Sequence, residues 1–511
     1  MPGLLAIRRV GFAAAWTVVG AAAGCAQLAG IDDTTGAPVT PPPPPPGDTL
    51  RVTQLAIGAT VVPSPLDTTS LSASFLVAGS TAGSFDRVAA ASDPANGGWT
   101  STVQAAAPVE FMLPDGIPRL FALPNMNVST LYLVFQHASP APAPDGATFT
   151  IDSLLDVPAA TGDALQIYVV GAWLRHDLVA AEFSVDPLSN LFHASALPVA
   201  SALGRPKPDA VTTQDAFLVL RYNGGLLNGV AEAAPFAQTA AATMVTTETM
   251  IAVAKDQMLN ALLGTAALPA RYAMVQPVVA APSTSWSMVA APGFNLASTN
   301  GPTILFETPL TTETALQLTY GNPFAARGWH TILTLKSAAN RNYTLPGSPM
   351  GTMSIAQLGA GLTQYVDPTA LPASGFTLDL PAPLPTKILF AGVSLSTDGL
   401  TVRPPTSFVE ITLGLEASAA TTPPTVYSLT VFDVAVNATT MTTDRVVTLA
   451  VVSKDPVFHI PPEVFQTGHS YTLRATTDVG GFPSIASGNL VDRSLPLVQG
   501  YLDSGVFTVM P

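Results

Sequence analysis

The sequence is poor in cysteine and in charge. A single cysteine in 511 residues excludes an internal disulfide, so burial and backbone hydrogen bonds must hold the fold even in an oxidising compartment. Charged residues make up only 11% of the chain and hydrophobic residues 48%, whereas disordered chains are charged and poor in apolar side chains. We therefore expect a folded protein, and a chain of this length is enough for about two to four domains.

Basic residues are scarcer than acidic ones. The chain has 20 basic and 34 acidic residues, and its formal net charge is -14. Proteins that bind nucleic acids neutralise phosphates with clustered lysine and arginine, and no such cluster occurs in this sequence. The same scarcity argues against electrostatic docking on anionic lipid headgroups. Nucleic acid is therefore not an expected partner.

Sequence motifs for catalysis and metal binding are also missing. No serine lies at the centre of a Gly-x-Ser-x-Gly turn, there is no His-Glu-x-x-His, and the six histidines are widely spaced. We expect no cofactor and no metal, and the leading interpretation is a protein that is not an enzyme. The alternative is an exported hydrolase whose active site is assembled from distant residues, with His176 or His330 as the base.

An export signal occupies the amino terminus, residues 1–24. Arg8 and Arg9 form a short basic region, and an uncharged run rich in alanine and valine follows at residues 10–23, with small residues leading to Cys25. This arrangement resembles the lipobox of bacterial lipoproteins, in which the cysteine takes a diacylglycerol and becomes the new amino terminus. The resemblance implies a lipid anchor at Cys25. An ordinary secretory signal and an uncleaved membrane anchor are the alternatives.

The residues after Cys25 indicate where such a lipoprotein would be held. In lipoproteins of Gram-negative bacteria an aspartate directly after the cysteine indicates retention at the inner membrane, and Ala26 stands there instead. The resemblance thus implies a protein attached to the outer membrane through its lipid. Residues 25–48 form a tether, because the six prolines at 41–46 favour a stiff, extended chain that rises about 3.1 Å per residue.

From residue 49 onward the pattern is one of short strands separated by turns. The runs are rich in branched and aromatic side chains and are bracketed by Gly, Pro, Asn or Asp. They include residues 130–135, 165–170, 217–222 and 331–336. The 48 prolines and 39 glycines disfavour long helices, and a helical apolar period appears at residues 248–263. The sequence predicts an all-β protein of tandem β-sandwich modules with at most one or two short helices.

Proline-rich seams divide the predicted folded part. One seam lies at residues 139–146 and another at residues 280–283. We predict four modules between and around these seams. They are a β-sandwich at 49–142, a β-rich module with one helix at 143–285, a β-rich module at 286–384 and a β-sandwich at 385–511.

The last module carries a family resemblance. Phe465, Gly468 and Tyr471 stand where a hydrophobic residue, a turn glycine and a tyrosine precede an alternating strand. This stretch resembles the region between strands E and F of a fibronectin type III domain. The resemblance implies a fibronectin type III-like sandwich at 385–511, in which the hydroxyl of Tyr471 bonds back to the backbone at the corner. It implies a fold and no particular function.

Three tryptophans near predicted turns are candidate ligand-binding residues, namely Trp99, Trp286 and Trp329. Exposed aromatic faces bind sugar rings in many β-sandwich modules. The alternative, that these residues belong to the core or cover a sheet edge, is commoner for tryptophan. The sequence thus predicts a lipid-anchored envelope protein with a binding, adhesion or scaffolding role. An envelope protein or a polysaccharide is the candidate partner.

Overall fold

A computed structural model gives the fold from residue 49 onward, with gaps. The structure describes residues 49–57, 61–80, 84–101, 108–114, 116–122, 128–135, 148–153, 163–169, 174–178, 183–185, 192–198, 217–223, 226–233, 248–251, 257–263, 268–275, 282–291, 306–312, 315–320, 330–344, 354–372, 374–417, 421–437, 442–482 and 494–511. The export signal, the tether and the seam at 139–146 lie outside these ranges.

Strands dominate the described part of the chain. Those in its first half are β1 Thr49–Ile57, β2 Val61–Pro65, β3 Ala73–Ala78, β4 Phe85–Ala89, β5 Ala91–Asp93, β6 Gly98–Thr100, β7 Val109–Met112, β8 Pro118–Ala122, β9 Val128–Phe135, β10 Thr148–Ser153, β11 Asp163–Val169, β12 Leu174–Leu178, β13 Phe183–Val185, β14 Phe192–Pro198, β15 Phe217–Asn223, β16 Leu226–Ala233, β17 Glu248–Ile251 and β18 Gln257–Leu263. A short helix, α1 Leu268–Tyr272, then separates β18 from the rest.

The strands of the second half are longer on average. They are β19 Ser283–Ala291, β20 Phe306–Thr311, β21 Ala315–Tyr320, β22 His330–Thr344, β23 Ser354–Val366, β24 Phe376–Leu378, β25 Pro385–Phe390, β26 Val393–Ser394, β27 Leu400–Val402, β28 Val409–Leu415, β29 Val426–Asn437, β30 Thr442–Ser453, β31 Val457–Ile460, β32 Ser470–Gly480, β33 Leu497–Asp503 and β34 Phe507–Val509. Two 3-10 turns, Pro368–Ala370 and Pro462–Val464, follow β23 and β31. The chain is thus an all-β protein with several sheets, as its sequence predicts.

The strand predictions are confirmed, whereas the predicted helix at 248–263 is wrong. That segment forms β17, which pairs with β16, and β18, which pairs with β21 and β24. Pairing with neighbouring strands overrides a local helical period, because a short amphipathic helix has little stability of its own. The helix of this region, α1, begins at Leu268 instead.

The described strands form six sheets. Four of them are small, with strand orders β2-β1-β6-β5 (β9 also pairs with β1), β10-β14-β13, β12-β11-β15-β16-β17 and β21-β18-β24. A fifth, β26-β25-β28-β31, lies in the C-terminal region. The sixth has 14 strands and runs β20-β19-β22-β23-β33-β32-β29-β30-β8-β7-β3-β4, with β27 and β34 attached beside β32.

The C-terminal region is a two-sheet sandwich. Sheet β26-β25-β28-β31 packs against β32 and β33 of the long sheet. Burial alternates along β28, where Val409, Ile411 and Leu413 point into the core and the residues between them are less buried. The ring of Phe390 meets those of Phe465 and Phe507 at centroid distances of 5.1 and 5.5 Å. The burial of apolar side chains between two sheets is the main driving force for such a fold.

Tyr471 fixes the corner that leads into β32. Its hydroxyl accepts a hydrogen bond of 2.8 Å from the backbone N–H of Gln466, and its ring meets the edge of Phe465 at 5.3 Å. Gly468 between them has a φ of +86°, a conformation that side chains other than glycine rarely adopt. The backbone hydrogen bond implied for Tyr471 is therefore present, and Tyr471 has a structural role.

Arg271 of α1 ties three parts of the chain together in the core. It donates to Glu416 at 2.8 and 3.1 Å, and to the backbone carbonyls of Leu380 and Ala382, each at 2.6 Å. Glu416 also accepts a bond of 2.6 Å from the N–H of Leu384. Both charged side chains are buried, at 9% and 0% exposure. Each buried charge is thus paired and hydrogen-bonded, which offsets the cost of removing it from water.

Strands from near the start of the described region complete the long sheet. β8 pairs in parallel with β30, so that Arg119 lies opposite Ala450. Phe85 of β4 contacts the rings of Phe408 and His459 at 4.9 and 5.7 Å. The β3–β4–β7–β8 strands are therefore joined to the C-terminal sandwich by backbone pairing and by an aromatic contact.

Candidate functional site

Two of the candidate tryptophans are core residues. Trp99 in β6 is 1% exposed and packs beside Phe111, and Trp286 in β19 is 0% exposed. A sugar ring stacks on an open aromatic face, and burial leaves neither ring such a face in this structure. Trp99 and Trp286 therefore fit the alternative interpretation, in which the tryptophans belong to the core. Trp329 and Cys25 lie outside the described residues.

Besides the buried pair of Arg271 and Glu416, a second group of polar side chains surrounds Asp503 on β33. Its carboxylate is 0% exposed and receives a two-pronged contact from Arg474, at 2.8 and 2.9 Å. Arg445 donates to the same carboxylate at 3.2 Å, and the N–H of Gly359 donates at 3.1 Å. Four donated bonds satisfy this buried anion and link β23, β30, β32 and β33.

Each of the two arginines also stacks on an aromatic ring. The guanidinium of Arg445 lies 4.1 Å from the ring centre of Phe432, and that of Arg474 lies 4.7 Å from that of Tyr501. Burial raises the pKa of Asp503, but the two arginines outweigh it and hold this pKa below its ordinary value. The charges of Asp503, Arg445 and Arg474 are thus paired with one another, which is typical of a group that stabilises the fold.

A cavity of about 390 Å³ opens where β23 and β33 end their pairing. It is lined on one side by Val366, Asp367, Ala370 and Leu371, which belong to the end of β23 and to the 3-10 turn. Ser494, Leu495 and Pro496, just before β33, line the other side. Its volume falls in the range of sites for small molecules, and its walls are mainly apolar with two polar groups, as in such sites.

His330, at the start of β22, lies close enough to this cavity to interact with Asp367. Partial burial lowers the pKa of His330, and the carboxylate of Asp367 opposes that shift. The imidazole is therefore mainly neutral at pH 7. Sequence reasoning named His330 but missed Asp367 and Ser494, which lie 127 residues apart along the chain and carry no motif.

Two kinds of feature are absent from the described residues, a metal-binding cluster and a membrane-spanning helix. No group of three or more His, Cys, Asp or Glu side chains in those ranges is placed to hold a metal ion. No helix within them is long and apolar enough to cross a membrane.

Comparison with known proteins yields only weak similarities. No protein-family model and no curated protein matches the chain. A solved alpha-2-macroglobulin of Salmonella is 10% identical over 90% of this chain and 29% of its own, with a TM-score of 0.12. The pilus adhesin SpaC of Lactobacillus rhamnosus GG is 9% identical over 84% of this chain and 52% of its own, with a TM-score of 0.11. The chain spans at most about half the length of these structures, and TM-scores this low establish neither a shared fold nor a shared function.

Proposed function

We propose that this protein is a lipid-anchored binding or scaffolding protein of a bacterial outer membrane, without enzymatic activity of its own. The observation that carries the proposal is the position of its one cysteine. Cys25 follows a basic and then apolar segment, and it precedes the proline-rich tether and an all-β region. A stiff tether between a lipid and a set of sheets holds a binding surface away from the membrane.

The same proposal includes a fibronectin type III-like module at 385–511. In its support, three strands of this region, β25, β28 and β31, are neighbours in one sheet, and β33, β32, β29 and β30 are neighbours in another. The corner hydrogen bond of Tyr471 also supports it. Sandwich modules of this kind serve many binding roles, so the partner follows from surface chemistry and not from the fold. An envelope protein or a polysaccharide is the proposed partner.

Replacing Cys25 with serine tests the anchor. The full chain, expressed in a Gram-negative host fed a labelled fatty acid, should carry the label and fractionate with the outer membrane. The variant Cys25→Ser should lose the label and leave the membrane fraction, because a hydroxyl does not take the diacylglycerol as the thiol does. Ala26→Ser is the matched control and should keep both. A labelled, membrane-bound Cys25→Ser variant would disprove anchoring at this residue.

One observation favours the hydrolase as a second candidate. His330 interacts electrostatically with Asp367 beside a cavity that Ser494 also lines, and these are the residue types of a nucleophilic triad. Incubation of the protein with peptidoglycan and with short-chain nitrophenyl esters separates the candidates. We expect polymer in the pellet with the protein bound and no released product. Turnover that is lost in His330→Ala but kept in His469→Ala, a change at an exposed histidine paired with Asp433, would establish the hydrolase.

A further inference from the structure

We propose that the outer edge of β4, Phe85–Ala89, binds an extended strand of a partner protein, which lengthens the long sheet by one antiparallel strand. This inference deepens the binding role proposed above by choosing a protein over a polysaccharide as the partner, and it rests on that role. It does not depend on the lipid anchor. Three features of β4 carry it, namely its unpaired backbone groups, the direction of its Arg87 side chain and the side chains on its other face.

The backbone of β4 is paired on one side. The carbonyl of Ser84, just before β4, accepts a hydrogen bond of 2.9 Å from the chain after β3, and the N–H of Ala90, just after β4, donates one of 2.9 Å to β3. Residues of an antiparallel pair alternate between bonded and non-bonded positions, so the backbone groups of every second residue between them face β3. The groups of Phe85, Arg87 and Ala89 point to the other side, where no described strand pairs with β4.

This outer side of β4 is open to solvent. Ala89 is exposed, and so are Ala91 and Ser92 in β5, the strand that follows directly and is itself the last of its sheet. Because an alanine has only a methyl side chain, its exposure means that the backbone beside it is also accessible. Residues 85–93 contain neither lysine nor proline, which many proteins use to block an edge strand. The edge is therefore available for strand addition.

The side chain of Arg87 leaves this edge uncovered. Its Nε donates to Glu110 of β7 at 2.7 Å, and β7 lies on the far side of β3. Its guanidinium also contacts Glu463 and lies 5.8 Å from the ring centre of Phe408. The side chain thus extends across the sheet and away from the open edge. Two carboxylates share this one arginine, so the charge around it stays negative in sum, which favours a basic partner.

The other face of β4 selects the side chains of the bound strand. Asp86 and Val88 lie on that face, because successive side chains of a strand alternate. Val88 is half-buried and lies opposite Phe75, a core residue with 0% exposure, so an apolar side chain across from Val88 extends the core. Asp86 is exposed and forms no ion pair with another described residue, so it can pair with a lysine. The expected partner segment therefore has an apolar and a basic residue two positions apart.

Peptides test the proposal on the full purified chain. The probe is fluorescein-labelled Ser-Thr-Ile-Thr-Lys-Thr-Ser, which places its isoleucine across from Val88 and its lysine across from Asp86, and fluorescence anisotropy measures its binding. N-methylation of the central threonine removes an N–H that faces β4 in this alignment, whereas N-methylation of the lysine removes one that faces solvent. We expect the first change to weaken binding about tenfold or more, and the second to weaken it less than about twofold.

The charge of Asp86 gives a second readout. A peptide with glutamate in place of lysine should bind about threefold to tenfold more weakly to the unaltered protein, because a like charge would then face Asp86. Asp86→Asn should make the two peptides nearly equal in affinity. Asp379→Asn, a change at an exposed aspartate directly after β24, is the matched control and should keep the difference.

Ala89→Pro should block the edge without breaking the sheet. The N–H of Ala89 points away from β3, so a proline there removes no hydrogen bond between β3 and β4, and thermal unfolding shows whether the variant is folded. The folded variant should lose the peptide. Equal binding of the two N-methylated peptides to the unaltered protein would overturn the proposal, and so would an unchanged preference for lysine in Asp86→Asn or the absence of any peptide binding.

Two further results would assign the edge to another occupant and would also overturn the proposal. One is a dimer of the unaltered protein that dissociates in Ala89→Pro, which would assign the edge to a second copy of this chain. The other is binding to an insoluble polysaccharide that Ala89→Pro abolishes. Polysaccharide binding that persists in Ala89→Pro, with no peptide binding, would remove the strand site and keep the general binding role. Membrane fractionation tests the anchor separately from all of these outcomes.

Discussion

The variant Glu416→Ala is expected to lose about 3–5 kcal/mol of unfolding free energy, because it removes one partner of a buried ion pair. Arg271 keeps its bonds to two backbone carbonyls but becomes a buried charge without a counter-charge, and the N–H of Leu384 loses its acceptor. Urea denaturation followed by tryptophan fluorescence measures the loss as a shift of the midpoint. The buried Trp286 and Trp99 make this signal sensitive to unfolding.

The matched control is an ion pair nearer the surface. Glu110 contacts Arg87 at 2.7 Å, with side chains 23% and 38% exposed, and exposed pairs contribute about 0–1 kcal/mol. Glu110→Ala should therefore shift the midpoint only slightly. Equal shifts in Glu110→Ala and Glu416→Ala would show that the buried pair has no special role. Replacing both Arg271 and Glu416 with apolar residues should cost less than Glu416→Ala alone, because no unpaired charge remains.

Asp503→Asn is expected to have the second largest effect, again about 3–5 kcal/mol, because two arginines would lose their common anion. Arg445 of β30 and Arg474 of β32, which repel each other, would then have no shared counter-charge. An asparagine could still accept the N–H of Gly359, so the loss would report mainly on charge. The same denaturation experiment measures it, and a loss under about 1 kcal/mol would show that water screens these arginines.

The pH dependence of stability gives an independent measure of the Asp503 network. The pKa of Asp503 is lowered in the folded state, so its contribution is fully present above the unfolded value, near 3.9, and is lost as pH falls through the lower folded value. Unaltered protein should therefore lose stability between about pH 4 and the lower pH at which the folded carboxyl titrates. Asp503→Asn should show a smaller loss over that window, since it has no such carboxylate to protonate.

Local patterns predicted the strands well, because alternation and branched side chains act within a few residues. The runs at 331–336 and 217–222 became parts of β22 and β15 for this reason. The prediction of a helix at 248–263 was wrong because the apolar residues there have a helical period, whereas the segment pairs with strands β16 and β21 elsewhere in the chain. Strand pairing is a property of the whole fold, and a local window does not contain it.

The cavity and the buried charges could not be predicted from sequence. Arg271 and Glu416 are 145 residues apart, and nothing near either one signals the other. Trp99 and Trp286 stood beside predicted turns, yet the sheets closed over them, so position along the chain gave no measure of exposure. Asp367 precedes a proline, and a lone aspartate in that position usually marks a turn and predicts no binding site. Its place beside a cavity depends on Ser494, Leu495 and Pro496, which the fold brings to the opposite wall.

The parallel pairing of β8 with β30 has a consequence for how the protein reaches its fold. During synthesis Arg119 emerges roughly 330 residues before Ala450, and contacts of such long sequence separation form slowly. Until then β8 presents an open edge to any other strand it meets, including the same strand of another molecule. The yield of correctly folded molecules should therefore fall as the concentration of the protein during folding rises.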